Sequence, residues 1–171
     1  LSACSAEDDG KCAALLLENG ADPNIVAEKT SSPLLVATIG KKAGVVEALL
    51  KKGALPDTVC EVGTGTALVQ AAANGDAACV KLLLDANADV NLSAGPHARS
   101  PLHEAVRSGN LETVKLLIAA GATTFAKDEK NQTPFDYTEG NKQNYEIFEA
   151  IAVRRDKELD HWAEDSVRTT G

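Results

Sequence analysis

The side chains best suited to metal, redox or nucleophilic chemistry are four cysteines, Cys4, Cys12, Cys60 and Cys79, and three histidines, His97, His103 and His161. A zinc site draws closely spaced thiol or imidazole pairs into one tetrahedron, but these cysteines stand 8, 48 and 19 positions apart, with no CxxC pair and no nearby histidine at ligand spacing. No metal or other cofactor is expected. Catalytic signatures point the same way: GxSxG, HExxH and the P-loop are absent, and GTGT from Gly63 lacks the third glycine and the strand-to-helix setting that phosphate cradling needs. The chain therefore reads as a protein without chemistry of its own. Cys60, the one cysteine in an expected loop, has no flanking base and reads as an inert thiol. In a chain long enough to build a core, scattered free thiols suit a reducing compartment, the cytoplasm or the nucleus.

Charge narrows the partners. Seventeen Lys and Arg stand against 25 Asp and Glu, a formal charge of −8, which disfavours nucleic acid and anionic lipid. All six aromatic residues lie at or beyond Phe125, so the first 124 positions offer no ring for a base to stack on. No apolar run approaches the roughly 18 residues of a membrane span. Residues 1–11 lack the basic and then apolar order of a secretory signal, and the start at Leu1 with no methionine reads as a piece of a longer chain. In isolation it is expected to be a monomer.

The elements follow from self-similarity. LLLENGADPN from Leu15, ALLKKGALPD from Ala48, LLLDANADVN from Leu82 and LLIAAGATTF from Leu116 put Gly20, Gly53, Asn87 and Gly121 at steps of 33, 34 and 34. SPLLVA from Ser32, TALVQA from Thr66, SPLHEA from Ser100 and TPFDYT from Thr133 keep steps of 34, 34 and 33. The hydroxyls can accept an orphan amide, and Pro33, Pro101 and Pro134 suit a first helical position, so a helix is expected to begin at each. Ala37, Ala71 and Ala105, with Cys4 in the same phase, let a neighbouring helix approach closely. After a turn at Gly75 or Gly109 a second apolar helix follows, and it ends at a residue that tolerates the left-handed conformation. A polar, turn-rich stretch then reads as an outward hairpin. One helix pair cannot bury its apolar face alone, so the units must stack into a solenoid.

These motifs resemble the ankyrin repeat family, whose units start T-P-L-H-x-A and end L-L-L-x-x-G-A-D-x-N. SPLHEAVRSGNLETVKLLIAAGA from Ser100 is the nearest copy. Two departures stand out: the motif's His occurs only as His103, and Lys41 replaces the usual glycine between the helices. The resemblance implies an all-α ankyrin-repeat solenoid over residues 1–152, with units at about 1–27, 28–61, 62–95, 96–128 and 129–152, the first truncated and the last a cap. Residues 153–171 read as an extension of the capping helix and a tail, and from Tyr145 onward Tyr145, Phe148, Ile151, Ala152, Leu159 and Trp162 are compatible with one helical face.

The resemblance further implies a protein-interaction module that holds a peptide segment or a folded partner on a concave face of hairpin tips and first helices. Carried over by phase, the contact positions are Lys29, His97, Arg99, Lys130 and Gln132 at the tips, and Ile39, Gln70, Asn74, Glu104, Arg107 and Tyr137 toward the helices. Arg99 and Arg107 together suit an acidic or carboxylate-bearing segment. His103 reads as a structural hydrogen-bonding residue at its helix start. The alternative is the recruiting arm of a larger enzyme or secreted effector. Asn24 and Asn91 occupy the D-x-N loops in which this family accepts asparagine hydroxylation.

Overall fold

The computed structural model describes residues 9–25, 31–59, 65–95, 97–138, 146–147 and 149–156. Their helices are α1 Asp9–Glu18, α2 Pro33–Ile39, α3 Ala43–Lys51, α4 Ala67–Ala73, α5 Ala77–Asp85, α6 Pro101–Ser108 and α7 Leu111–Ala119. A 3₁₀ turn covers Asp136–Thr138, and 149–156 are helical. Two layers result. Helices α2, α4 and α6 form one row, each beside the next, and α1, α3, α5 and α7 form the other, with α2 on α3, α4 on α5 and α6 on α7.

Each first helix starts by the same chemistry. Ser32, Thr66 and Ser100 are extended at the N-cap and accept from the amides of Leu35, Val69 and His103 at 3.2, 3.3 and 3.4 Å. Pro33 and Pro101 follow, where no N–H is needed. Second helices α5 and α7 are capped by Asp76 and Asn110, which accept from Cys79 and Thr113. The second helices end at Gly53, Asn87 and Gly121, with φ of 85°, 61° and 93°, the left-handed geometry their residue types allow.

The fourth hydroxyl behaves differently. Thr133 gives its hydroxyl and its amide to the Asp136 carboxylate, at 2.8 and 2.6 Å, and the described residues that follow form a 3₁₀ turn rather than an α-helix.

Packing repeats with the caps. Leu34, Leu68 and Leu102 are buried, as are Ala37, Ala71 and Ala105, and across the second layer Val46, Val80 and Val114 with Leu49, Leu83 and Leu117. The exception lies in α1, where Leu16 has the phase of Leu49 but is 56% exposed. At the other end Ile147 and Ile151 are buried while Glu146 and Glu149 face water, as a cap requires. Tyr145, Phe148, Leu159, Trp162 and Cys4 lie outside the described residues.

Ala71 and Ala105 are fully buried, so a larger side chain has nowhere to go without parting α4 from α6. Ala105→Leu is expected to destabilise the stack by about 1–3 kcal/mol through overpacking. Circular dichroism melts check this, and an unchanged Tm would mean that Ala105 does not face the neighbouring helix.

Candidate functional site

Adjacent units are stitched at their loops before any partner is considered. The Asn24 amide donates to the Gly53 carbonyl at 3.0 Å and accepts from Leu55 N at 2.8 Å. Asn91 repeats the pair with Gly121 and Thr123, at 3.4 and 2.9 Å. In each D-x-N loop the aspartate turns the backbone, Asp22 accepting from Asn24 N and Asp89 from Asn91 N. Between them Asp57 accepts from Asp89 N at 3.0 and 3.2 Å. Its carboxylate has no proton to give back, so this junction carries half the stitch.

The surface of the first-helix row is set by phase. Val36, Gln70 and Glu104 are 34 positions apart, as are Ile39, Ala73 and Arg107. Chemistry therefore changes along the row: apolar on α2, amide on α4, charged on α6. Val36 and Ile39 are 56% and 47% exposed. Gln70 and Asn74 are half-buried and linked: Gln70 Nε2 donates to Asn74 Oδ1 at 3.1 Å, and Asn74 Nδ2 to the Thr38 carbonyl at 3.2 Å. Lys41 Nζ reaches the Asn74 carbonyl at 3.1 Å. Sequence reasoning named Ile39 and Gln70 and missed Val36, although the 34-residue step from Gln70 leads to it.

On the fourth unit the charges turn toward one another. Arg99, with 15% of its side chain exposed, is 3.1 Å from Glu104 and 3.8 Å from Asp128, and its Nε donates to Tyr137 OH at 3.2 Å. The Tyr137 hydroxyl donates to Asp128 at 2.6 Å, and the guanidinium carbon lies 5.5 Å from the tyrosine ring centroid. Glu104 is shared with Arg107, whose Nε and Nη2 approach to 2.8 and 2.7 Å. Asp128 also accepts from the amides of Lys130 and Gln132. Burial alone would raise the Asp128 pKa, but the Tyr137 hydroxyl and the two amides outweigh it and hold the carboxyl below its ordinary value. Burial likewise works against the Arg99 charge, and the bonds to Glu104 and Tyr137 prevail. Tyr137 is pushed up by burial and by its bond to Asp128.

The positions expected to meet a partner thus divide. Arg107 is 53% exposed and His97 is 53% exposed beside Glu129; Lys130 also faces water, and Ile39, Gln70 and Asn74 share the helix row. Arg99, Glu104 and Tyr137 are spent on one another, and the Gln132 carbonyl receives His103 Nε2 at 3.0 Å. The pairing of Arg99 with Arg107 as two free cations does not survive this geometry, because Glu104 lies between them and Asp128 holds the first. Lys29 lies outside the described residues, as does Cys60.

His103 closes a capping box with its imidazole in the role usually taken by Glu or Gln: Nδ1 accepts from Ser100 N at 3.1 Å. Its ring meets Tyr137 edge-on, centroids 5.8 Å apart. Burial lowers its pKa, a direction the Gln132 carbonyl opposes without reversing. Burial and the Asp76 hydrogen bond push the Cys79 thiol up to about 12, so no thiolate forms there at neutral pH. Among the described residues no group of three metal-ligating side chains converges, and no helix is long and apolar enough to cross a membrane.

Two stability measurements follow. Protonating His103 at Nδ1 would aim a second donor at the Ser100 amide. Its folded-state pKa is depressed, so the stability it confers is complete above 6.5 and lost as pH falls through the folded value; Asp128, also depressed, adds a second loss below 3.8. Urea midpoints are expected to fall below pH 6.5 in the wild type, with the first fall absent in His103→Gln, which keeps the box. An equal fall in both would remove His103 as the cause. Asp57→Asn supplies the donor missing toward the Asn87 carbonyl, and a gain of about 1 kcal/mol in unfolding free energy is expected; a loss would show that the carboxylate is preferred there.

With this geometry in hand, comparison with known proteins gives a consistent result. The family model described as Ankyrin repeats (3 copies) matches residues 1–94, 45–128 and 68–162. The chain is 33% identical over 132 residues to the chicken (Gallus gallus) nuclear factor NF-kappa-B p105 subunit, covering 75% of this chain and 13% of that protein. It is 32% identical over 148 residues to a Caenorhabditis elegans transient receptor potential cation channel subfamily A member 1 homolog, covering 84% of this chain and 12% of the relative. It is 34% identical over 70 residues to the mouse (Mus musculus) 2-5A-dependent ribonuclease, covering 41% and 10%. In each of these three the matched stretch is 13% or less of the relative's length.

Proposed function

The chain belongs to the ankyrin repeat family, whose repeats are protein–protein interaction modules, and from that premise we propose that it takes a partner protein across the exposed row of its first helices and the adjoining loop tips. One observation carries this reading. In the second to fourth units the packed positions hold the same residue type, Leu34, Leu68 and Leu102 or Ala37, Ala71 and Ala105, while positions 36, 70 and 104, exposed, half-buried and buried in turn, run from valine through glutamine to glutamate. Packing demands the first regularity. It does not call for the second, and a face varied in chemistry but fixed in spacing suits recognition of one particular segment.

Within this face Ile39, Gln70, Asn74 and Arg107 act as contacts on the helices, and His97 and Lys130 as contacts at the tips. Arg99, Glu104 and Tyr137 act as the frame that fixes them. A carboxylate of the partner meets Arg107, whose planar fork has unfilled donors on its exposed half. The binding unit is the single chain, in a reducing compartment where its thiols stay free. A second reading, the recruiting arm of a larger protein with its own catalytic or channel domain, is favoured by the short share of each relative that matches, one of them by name a ribonuclease and another a channel homolog.

The test is a binding titration with a partner recovered from lysate and then purified. Arg107→Glu combined with Asn74→Ala is expected to weaken binding at least about tenfold, roughly 1.4 kcal/mol, while Lys115→Glu on α7 leaves it unchanged. Loss through Lys115→Glu alone would place the partner on the second-helix layer instead.

A further inference from the structure

The turn after α2 breaks three local rules at adjacent positions. Lys41 has a positive φ of 54° at the phase where Gly75 and Gly109 adopt 62° and 73°. A side chain in that left-handed region costs energy that glycine avoids. Lys42 then stands at the N-cap of α3, where α5 and α7 have Asp76 and Asn110 accepting from the helix amides; an ammonium has no lone pair and makes no such cap. It also places a positive charge at the positive end of the helix dipole. Glycine followed by aspartate or asparagine would serve the fold better, as it does in the next two units.

Residues that violate folding rules together are expected where function imposes its own demand. Here both lysines adjoin Ile39, and with Val36 this is the exposed apolar pair of the first-helix row among the described residues. The two apolar side chains are three positions apart on α2, on one side of the helix. Lys41 and Lys42 are themselves exposed. Lys41 Nζ is anchored by the Asn74 carbonyl, which uses one of its three donors. Local charge leans the same way: residues 28–61 carry five lysines against Glu28, Glu47, Asp57 and Glu61, whereas 62–95 carry Lys81 against Asp76, Asp85 and Asp89.

We propose that the second unit is a docking patch for an acidic peptide segment of a partner protein, which seats an apolar side chain on Val36 and Ile39 and a carboxylate on Lys41. This rests on the reading of the first-helix row as the binding face and adds to Arg107 a second acid-binding point, on the second unit. An anionic membrane or nucleic acid suits the patch less well, because the cationic surface is small and the chain as a whole carries −8.

The experiment is selection of a phage-displayed random peptide library on the full chain, followed by fluorescence anisotropy with the enriched peptide. Enriched sequences are expected to combine Asp or Glu with neighbouring large apolar residues and to bind more weakly as salt rises. Ile39→Ser and Lys41→Glu are each expected to weaken binding by about tenfold. Lys41→Gly separates recognition from folding: it relieves the strained turn, so Tm holds or rises, while binding weakens by about fivefold. Neutral or basic peptides, or acidic ones that ignore Ile39 and Lys41 but lose affinity with Arg107→Glu, would overturn the patch and leave the binding face standing. Peptides indifferent to all of these substitutions would overturn both. Chain binding to phosphatidylserine vesicles as tightly as to the enriched peptide, with the same loss on Lys41→Glu, would overturn the choice of a peptide.

Discussion

Close approach between successive first helices is the constraint from which the rest follows. It is possible because Ala37, Ala71 and Ala105 present only a methyl group where the neighbouring helix passes, and because Leu34, Leu68 and Leu102 then fill the space between the layers. No single helix pair has a second side on which to bury these residues, so each unit is stable only as part of the row. Stacking fixes a step of 34 positions between equivalent side chains and sorts every first-helix residue into one that packs and one that faces out. The binding face is therefore a product of the packing rather than an addition to it.

Polar chemistry then secures what packing leaves loose. Asn24 and Asn91 join loops across units with paired amide bonds, and Asp128, Arg99, Glu104 and Tyr137 tie the fourth unit to the cap. Such a network is stable because nearly every charge has a partner; an uncompensated member would carry the full cost of its lost hydration. The consequence for recognition is a division of labour. Arg99 is held where it can orient neighbours, and Arg107, tied to Glu104 by one edge, leaves its other edge in water. In the second unit Lys41 gives one donor to the Asn74 carbonyl and is exposed.

Much of the architecture was legible in the chain itself, because its signals are local. Hydroxyl–proline pairs at Ser32 and Ser100, left-handed positions at Gly53, Asn87 and Gly121, and the alanine phase all act within a few residues of where they are read. Thr133 carries the same start signal, yet its bonds go to Asp136 and a 3₁₀ turn follows, a competition between two local partners that spacing does not resolve. Site residues were harder. Arg99 meets Asp128 and Tyr137 across 29 and 38 positions, contacts that a 34-residue period brings near without saying which side chains will pair. Val36 was hidden for another reason: valine on a helix reads as core, and only its phase with Gln70 and Glu104 marks it as outward. Lys41 was visible as a departure from the repeat pattern, but its meaning needed the φ angle and the exposure of Ile39.

Amide hydrogen exchange of the full chain, free and saturated with a selected acidic peptide, tests most directly whether the first-helix row is where a partner sits. The account predicts slowed exchange in the last turns of α2 and α4 and in the Gly40–Lys42 turn between α2 and α3, with α5 and α7 unchanged. Slowing confined to α5 and α7, with α2 and α4 exchanging as in the free chain, would contradict it.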